Sequence, residues 1–429
     1  MADKNPLSVA IVGGGIAGLT LAIALLQKCP HMLVTLYESA SAFGEIGAGV
    51  GFQPTMVRTM NLIDPRIGAA FDKCNKGNED IYDPPLWFRM RVGDERKKDV
   101  KLGEQIFELP ARKGPRGGVH RAHFLDELVK LVPEGVAQFK KKLVDVVEGE
   151  NDDVVLSFAD GSTAKHSVVL GCDGIKSRTR PIVLGGDSEA SKAVFSGKYA
   201  YRGVLPMEKA LEILGESARD PQMFMGYHGH VLTFPIANGR MLNGMYPTIL
   251  VAFSSRPTWD DPNWVVSTSR EGVLEDYKHW SPTVRAIMDS LQKPDIWALF
   301  DHPPALTYYT TKPLICLVGD AAHASTPHQG AGAGMCIEDA YILSELLSQS
   351  HTKSDLQKAF YAYDAVRRPR TQKLVKTSRE AGMLWDFEGE GVGDDLKALE
   401  KNATTRMSWI WDHEILGDLS KARGMMAEA

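Results

Sequence analysis

A glycine-rich turn near the start of the chain limits what this sequence can fold into. Residues 7–12 form a short apolar run, and Gly13-Gly14-Gly15-Ile16-Ala17-Gly18 follows it directly. An apolar stretch with helical spacing comes next, and a second apolar segment, Leu33–Tyr37, ends at Glu38. A strand, a G-x-G-x-x-G turn, a helix and a second strand predict a βαβ unit with parallel strands.

The three motif glycines have separate tasks in such a unit. Gly13 permits the tight turn, Gly15 lets the backbone approach a pyrophosphate, and Gly18 lets the helix pack closely against the strand. The helix N-terminus favours a bound phosphate, and Glu38 stands where an acid accepts hydrogen bonds from an adenosine ribose. The motif predicts dinucleotide binding and leaves NAD and FAD open. The alternative is an ordinary glycine-rich turn with Glu38 as a solvated strand end.

Composition excludes several classes of protein. The chain has 429 residues, room for two or three domains, and a net charge of -5, whereas nucleic-acid binders are usually basic. Its five cysteines are scattered without a C-x-x-C pair, which argues against a zinc site or a disulfide framework and fits a reducing compartment. No signal-peptide layout and no apolar run of roughly 20 residues occur. We therefore expect a cytoplasmic protein with no metal site and no transmembrane segment.

The rest of the chain alternates between α/β and β-rich regions. Residues 54–67 look helical, residues 80–118 look irregular, and residues 144–167 alternate like antiparallel strands. Short runs rich in Tyr, Phe, Val and Thr over residues 195–255 predict a separate sheet, and residues 257–298 look mostly helical. Helices dominate after residue 314, and the polar tail after Leu416 is expected to be disordered.

A second and a third glycine-and-aspartate segment follow buried strands. One is GCDGIKSRTR at residues 171–180, and the other is GDAAHASTPHQGAGAG, which runs from residue 319 to residue 334. The latter is far longer than the 2–6 residues of a typical strand-to-helix connection. Its length and glycine content predict a backbone that packs against a ligand.

The three segments in this order resemble the flavoprotein aromatic hydroxylases. These are single-component FAD-dependent monooxygenases of the para-hydroxybenzoate hydroxylase type. The stretches GEIGAGVGFQP, VHRAHFLDEL and YRG make the chain most similar to fungal salicylate hydroxylase-like enzymes, which include dearomatising phenol hydroxylases. The resemblance covers roughly residues 7–370.

The resemblance implies an α/β fold. A Rossmann-like, three-layer FAD-binding domain would take residues 1–80, 112–183 and 296–360. An inserted antiparallel-sheet substrate domain would take residues 81–111 and 184–295, and a helical C-terminal region would take residues 361–429.

The resemblance also implies a cofactor site for FAD. Asp320 would bind the ribityl chain, Arg121 would reach the phosphate or ribose region, and a helix starting near Met335 would point its positive end at the flavin ring. A surface charge on a helix is the alternative for Arg121. The implied cofactor-binding residues are Gly13, Gly15, Gly18, Glu38, Gly49, Val50, Arg121, Asp173, Asp320, Gly332, Ala333 and Gly334. Because the chain has one G-x-G-x-x-G motif, NADH or NADPH would bind transiently.

The substrate would lie against the predicted second sheet. Alternation in KYAYRGVLP places Ala200, Arg202 and Val204 on one face. The resemblance puts Arg202 against the phenol, where its guanidinium offers a fixed fork of donors for a phenolate or carboxylate. A salt bridge to a nearby acid is the alternative. The other implied substrate-binding residues are Phe234, His230 and Tyr227. Pro327 would sit above the flavin ring, and Arg202 and Pro327 would be the catalytic residues. For His323 and His328 we favour structural roles over proton transfer.

The function implied is hydroxylation of a phenolic substrate by NAD(P)H and O2 through a flavin C4a-hydroperoxide. A salicylate-like substrate is favoured, and a substituted resorcinol or polyketide-derived phenol, with or without dearomatisation, is the alternative. A non-catalytic flavin-binding protein and an NAD-dependent dehydrogenase are alternatives of other classes. The absence of a GWxWxIP stretch argues against a halogenase, and the absence of a second dinucleotide motif argues against a Baeyer–Villiger enzyme. Two tryptophans within residues 409–416 are compatible with a homodimer contact.

Overall fold

A six-stranded sheet carries the predicted βαβ unit. The computed structural model of the protein describes residues 6–44, 49–76, 82–235, 248–291 and 294–429. The strands of this sheet, in spatial order, are Tyr309–Thr311, Leu314–Leu317, Val168–Gly171, Ser8–Val12, Leu33–Tyr37 and Ala137–Gln138. All pairs are parallel except the first, at one edge. The central strands are almost wholly apolar and buried, as a sheet covered on both faces requires.

An eight-stranded sheet forms the second layer of strands. Its spatial order is Val265–Ser267, Asp295–Asp301, Val194–Leu205, Thr248–Ser255, Gly229–Pro235, Gln222–Gly226, Leu86–Val92 and Gln105–Pro110. Neighbours are antiparallel except Gln222–Gly226 and Leu86–Val92, which run parallel. The remaining strands of the described residues form two small sheets. They consist of Leu143–Glu148, Val154–Phe158 and Thr163–His166, and of Gly49–Phe52 paired with Gly117–His120.

Helices cover the parallel sheet and make up the C-terminal part. They are Ile16–Lys28, Pro54–Ile63, Pro65–Asn75, Arg121–Val129, Thr179–Leu184, Met207–Leu214, Arg270–Asp276, Pro282–Asp289, Asp320–His323, Gly332–Leu347, Lys353–Trp385, Leu396–Arg406, Ser408–Trp411 and Ile415–Glu428. Among the described residues, no helix combines the length and apolar composition that a bilayer crossing requires. Nor do these residues place three His, Cys, Asp or Glu side chains together where they could hold a metal ion.

Two local predictions were wrong, and a third was incomplete. Residues 80–118 are not irregular, since Leu86–Val92 and Gln105–Pro110 pair as strands of the large sheet. The helix predicted over 54–67 divides at Asp64, whose carboxylate accepts from the Arg66 N–H and caps a new helix. The tail after Leu416 is helical, because its buried side chains Leu419, Ala422 and Met426 form one stripe.

A buried charge cluster joins two of the long helices behind the third glycine segment. Arg367 is fully buried, and its guanidinium donates to Asp339 at 2.8 Å and to Glu338 at 2.7 Å. Asp339 also accepts from the backbone N–H of Gly319 and bonds to His323. The cluster therefore fixes the turn that leads into Asp320. Burial alone would raise the pKa of both carboxyls, but Arg367 and its cationic neighbours hold each pKa at about 2.

Replacing Arg367 by methionine should therefore destabilise the protein. Removing one partner of a buried ion pair leaves uncompensated charge and costs about 3–5 kcal/mol of unfolding free energy. Because both pKa values are depressed, the stabilisation is present above the unfolded carboxyl pKa of about 4 and is lost as the pH falls toward 2. Urea unfolding at neutral and acidic pH measures both effects. The control is Arg368→Met, which breaks a partly exposed pair with Asp364 and should cost below about 1 kcal/mol. Equal losses in the two variants would contradict this interpretation.

Candidate functional site

A large cavity lies where the predicted glycine segments meet the eight-stranded sheet. Its volume is about 1190 Å³, and its lining includes residues from all three segments and from six strands of that sheet. Of the residues predicted for the site, the cavity is lined by Gly13, Gly15, Glu38, Gly49, Val50, Arg121, Asp173, Asp320, Gly332, Ala333, Arg202, His230, Phe234 and Pro327. Val12 and Cys336, which are 324 positions apart in sequence, thus line one space.

The first glycine segment forms the turn that the spacing predicts. Gly13 has a φ of 105°, and a Cβ there would lie 2.4 Å from the carbonyl oxygen of Cys172. Gly15 faces the cavity at the N-terminus of helix Ile16–Lys28, and a Cβ there would meet no protein atom within 4 Å. The Glu38 carboxylate accepts from the Gly14 N–H at 2.7 Å and from the Ala40 N–H at 2.7 Å. Glu38 therefore holds the turn in shape as well as lining the cavity.

The second segment is fixed by its own aspartate. Asp173 accepts from the hydroxyls of Ser177 and Thr179 and from two backbone N–H groups, so its carboxylate organises the turn. Arg180 is fully buried and donates to the carbonyl oxygens of Ala321 and Ala322 at 3.0 and 2.6 Å. Burial lowers the Arg180 pKa to about 10, which still leaves it charged at neutral pH. Arg180 thus joins the second segment to the third.

The third segment presents an acid and a helix start to the cavity. Asp320 lines the cavity, and among the described residues its carboxylate accepts no hydrogen bond. The following helix begins at Gly332, three residues before the predicted start at Met335, and Gly332 and Ala333 line the cavity. Its free backbone N–H groups and positive dipole end favour an anionic ligand.

Arg202 lies across the cavity on the large sheet. Its guanidinium stacks over the Trp297 ring, 4.8 Å from the ring centroid. Its buried Nε has no hydrogen-bond partner, and the described part of the chain gives it no carboxylate. The salt-bridge alternative is therefore not supported by these residues. Burial and, to a lesser extent, the nearby charge of Arg121 lower the Arg202 pKa.

Three residues of strand Gly229–Pro235, which Thr248–Ser255 separates from the strand of Arg202, share the face of Arg202. His230, Leu232 and Phe234 all line the cavity, in agreement with the predicted alternation. The His230 ring stacks on Phe253 with a centroid distance of 4.3 Å, and its Nδ1 bonds to Asp386 at 2.6 Å. The His328 ring is 5.2 Å from that of His230. Burial, with the neighbouring His230 and Lys198, keeps the His328 pKa well below its usual value, so that ring is neutral.

Three predicted site residues do not line the cavity. Gly18 packs against the glycine turn, where a Cβ would lie 1.9 Å from the Gly13 carbonyl oxygen. Gly334 faces helix Pro54–Ile63, since a Cβ there would overlap the Met56 sulfur at 2.2 Å. Tyr227 lies at a hairpin turn, and its hydroxyl donates to Asp394 at 2.5 Å. The turn carries Tyr227 out of the strand alternation, so the substrate-binding role predicted for it lacks geometric support.

The volume of the cavity and the groups that line it suit FAD. Gly15 leaves room beside a helix N-terminus for a pyrophosphate, and Asp320 offers an acceptor for ligand hydroxyls. Two helices, Ile16–Lys28 and Gly332–Leu347, start at the cavity wall, where their dipoles favour phosphate and an anionic ring edge. Apolar walls with a few polar groups are typical of cofactor and ligand sites.

Comparisons with known proteins agree with this geometry. Residues 293–378 match the sequence family described as "FAD binding domain". The chain is 41% identical to the FAD-dependent monooxygenase orf3 of Aspergillus niger, over 96% of this chain and 95% of that protein. It is 40% identical to a salicylate hydroxylase of Pseudomonas putida, over 98% of this chain and 95% of that protein. The chain belongs to the FAD-dependent monooxygenases.

A solved structure extends the comparison to three dimensions. The structure titled "Salicylate hydroxylase substrate complex" superposes with a TM-score of 0.83 at 34% identity, covering 98% of each chain. The predicted α/β fold, with a Rossmann-like FAD-binding part and a helical C-terminus, is confirmed, as is the prediction that this monooxygenase binds FAD. NADH or NADPH is the co-substrate typical of such enzymes.

Sequence reasoning missed the groups that support the substrate wall of this monooxygenase. Trp297 lies under Arg202, and Asp386 holds His230, yet neither was predicted. The available signal was Lys198 directly before Tyr199, Ala200 and Tyr201 in a predicted strand, because a buried ammonium needs an acid. Nothing in the sequence indicated which acid it would meet.

Proposed function

We propose that this monooxygenase hydroxylates a phenol that carries a second anionic or hydrogen-bonding substituent, with salicylate-like compounds favoured. The observation that carries the proposal is Arg202, a half-buried cation on the cavity wall. Its buried Nε has no hydrogen-bond partner, and the described residues bring no carboxylate to it. Phenols bound next to a cation ionise more readily, and each unit of pKa is worth about 1.4 kcal/mol. The phenolate is the more electron-rich and therefore the more reactive form of the ring.

We propose the following division of labour between the sheets. The parallel sheet and its three glycine segments would hold FAD, and the eight-stranded sheet would cover the substrate. Bound FAD, reduced by NADH or NADPH, would supply the activated oxygen from O2. Arg202 would orient the substrate oxygen, Phe234 would form an apolar wall, and Pro327 would close the cavity beside the third segment. These residues position the ring and keep water from it.

Relatives support a salicylate-like substrate without fixing it. One relative and one similar structure are named for salicylate hydroxylation, whereas the Aspergillus niger relative is named only as a monooxygenase. A substituted resorcinol or polyketide-derived phenol therefore stays the alternative. We also propose that the enzyme acts in the cytoplasm, where its five buried cysteines stay reduced, and that it forms a homodimer.

The test measures NADH and NADPH oxidation by the FAD-loaded enzyme with a panel of phenols. Salicylate, alkylated resorcinol aldehydes and benzoate should be compared, with benzoate as the control that lacks a phenol. We expect at least one phenol to stimulate oxidation strongly, and product mass to show one added oxygen with or without loss of CO2. If no phenol stimulates the enzyme more than benzoate does, a non-catalytic flavin-binding role becomes the better interpretation.

A further inference from the structure

A continuous chain of hydrogen bonds leads from the cavity wall to the protein surface. It starts at His230, passes through Asp386, Lys198 and Glu388, and ends at His228. The distance from His230 Nδ1 to Asp386 is 2.6 Å, and that from Lys198 Nζ to Glu388 is 2.9 Å. Lys198 also donates to Asp386, and His228 bonds to Glu388. We name these five residues the relay chain.

The exposed fraction of the side chains increases along the relay chain from the cavity to the surface. The side chains of His230 and Asp386 are 1% and 0% exposed, that of Glu388 is 23% exposed, and that of His228 is 63% exposed. His228 lines a second depression of about 370 Å³, separate from the cavity, and Phe253 lines both. A series of titratable groups thus connects the two spaces through the protein interior.

The cavity end of the relay chain is held in a fixed orientation. Phe253 stacks on the His230 ring, and the bond to Asp386 occupies Nδ1. Among the described residues, Nε2 of His230 makes no hydrogen bond. A carboxylate on Nδ1 fixes the tautomer and leaves the other ring nitrogen as a hydrogen-bond acceptor. His230 therefore has its basic nitrogen available on the face that lines the cavity.

The outer end is built by the segment that follows the longest helix. Asp386 directly follows helix Lys353–Trp385 and caps its C-terminus. The carbonyl oxygen of Asp386 accepts a hydrogen bond from the His228 N–H at 3.2 Å. This bond anchors the hairpin of His228 and His230 to the acids that serve them. Burial by itself lowers the Lys198 pKa, but Asp386 and Glu388 outweigh it and keep the ammonium charged. Neighbouring His328 stays neutral and adds no competing charge.

We propose that the relay chain carries the phenolic proton of the bound substrate from His230 to solvent at His228. The inference rests on the proposed function, because it needs a phenol in the cavity. The substrate O–H bond breaks and an N–H bond forms at His230 Nε2, while the Nδ1 proton passes to Asp386. Lys198 gives one proton to Glu388 and takes one from Asp386, and Glu388 passes its proton to His228, which releases it to water. Asp386, Lys198 and Glu388 return to their starting states, and one proton leaves per substrate. His230 and His228 are left as their other neutral tautomers, and each exchanges its ring proton with water before the next substrate binds.

The exposed end allows a test that spares the fold. Proton release on mixing the FAD-loaded enzyme with the phenol that best stimulates it can be followed by stopped flow with a pH indicator in weak buffer. His228→Gln should slow release by on the order of tenfold or more, and added imidazole should restore the rate. The matched control is His279→Gln, which alters a partly exposed histidine in the same depression but outside the relay chain. That variant should release protons at the wild-type rate.

A buried variant tests the interior of the relay chain. Asp386→Asn should slow release by about 10²-fold, and imidazole should not restore it because the lost group lies between the cavity and His228. A purely structural network would show neither the slower release in His228→Gln nor its rescue. If His228→Gln releases protons as the wild type does at every imidazole concentration, the relay is overturned while phenol hydroxylation stands. If the wild type neither binds nor oxidises any phenol, the relay and the proposed function fall together.

Discussion

Replacing Gly15 by aspartate is expected to give a folded protein that purifies without flavin. Gly15 has a φ of -75°, which any residue adopts, and a Cβ there would meet no protein atom within 4 Å. The new carboxylate would therefore enter the cavity without straining the fold. It would stand at the start of helix Ile16–Lys28, where the pyrophosphate is proposed to bind. Two like charges about 4 Å apart near a protein surface repel by about 4 kcal/mol, which is close to 10³-fold in affinity.

Flavin absorbance after purification and titration of the apoprotein with FAD measure this loss. Circular dichroism and thermal unfolding of the apoproteins check that the fold survives. Gly186→Asp is the matched control, because Gly186 is exposed, meets no atom within 4 Å of a Cβ and does not line the cavity. That variant should purify yellow. A Gly15→Asp protein that binds FAD like the wild type would show that the pyrophosphate does not lie at this turn.

Replacing Arg202 by methionine is expected to leave flavin content unchanged and to impair hydroxylation. Methionine keeps the apolar packing over Trp297 but removes the cation proposed to hold the phenolate. A hydrogen bond to a charged group contributes about 1.5–3 kcal/mol, so kcat/KM should fall by roughly 10- to 150-fold. NAD(P)H oxidation should also become poorly coupled to product, because the ring is no longer held in position.

Coupling is measured as product formed per NAD(P)H oxidised, alongside the flavin spectrum. Arg256→Met is the matched control, since Arg256 also lies over aromatic rings, those of Tyr199 and Trp259, but does not line the cavity. It should keep wild-type coupling. Unchanged substrate affinity and coupling in Arg202→Met would remove Arg202 from the substrate site.

Features encoded in short stretches of sequence were predicted well. The positions of Gly13 and Gly15 follow from motif spacing, and the faces of Arg202 and His230 follow from strand alternation. The fold class follows from the order of three glycine segments, each behind a buried strand. Such patterns are local, so one sequence is enough to read them.

Features that depend on distant partners were not predictable. Asp386 meets Lys198 across 188 positions, and no periodicity connects a helix end with a strand. Tyr227 was a candidate through the resemblance alone, and it lies in a two-residue hairpin turn beside His228, which has a φ of 66°. The strand Leu86–Val92 was missed because its arginines obscure the alternation, although Arg89 and Arg91 find partners in the fold. A charged side chain that finds a partner in the fold is compatible with a strand, although its sequence pattern argues against one.

A crystal structure of the FAD-loaded protein with a bound phenol tests the central claim most directly. We predict the pyrophosphate beside Gly15, the flavin ring at the start of helix Gly332–Leu347 with Asp320 on its ribityl chain, and the phenol oxygen on the Arg202 guanidinium. A flavin located elsewhere, or a phenol bound away from Arg202, would contradict the account.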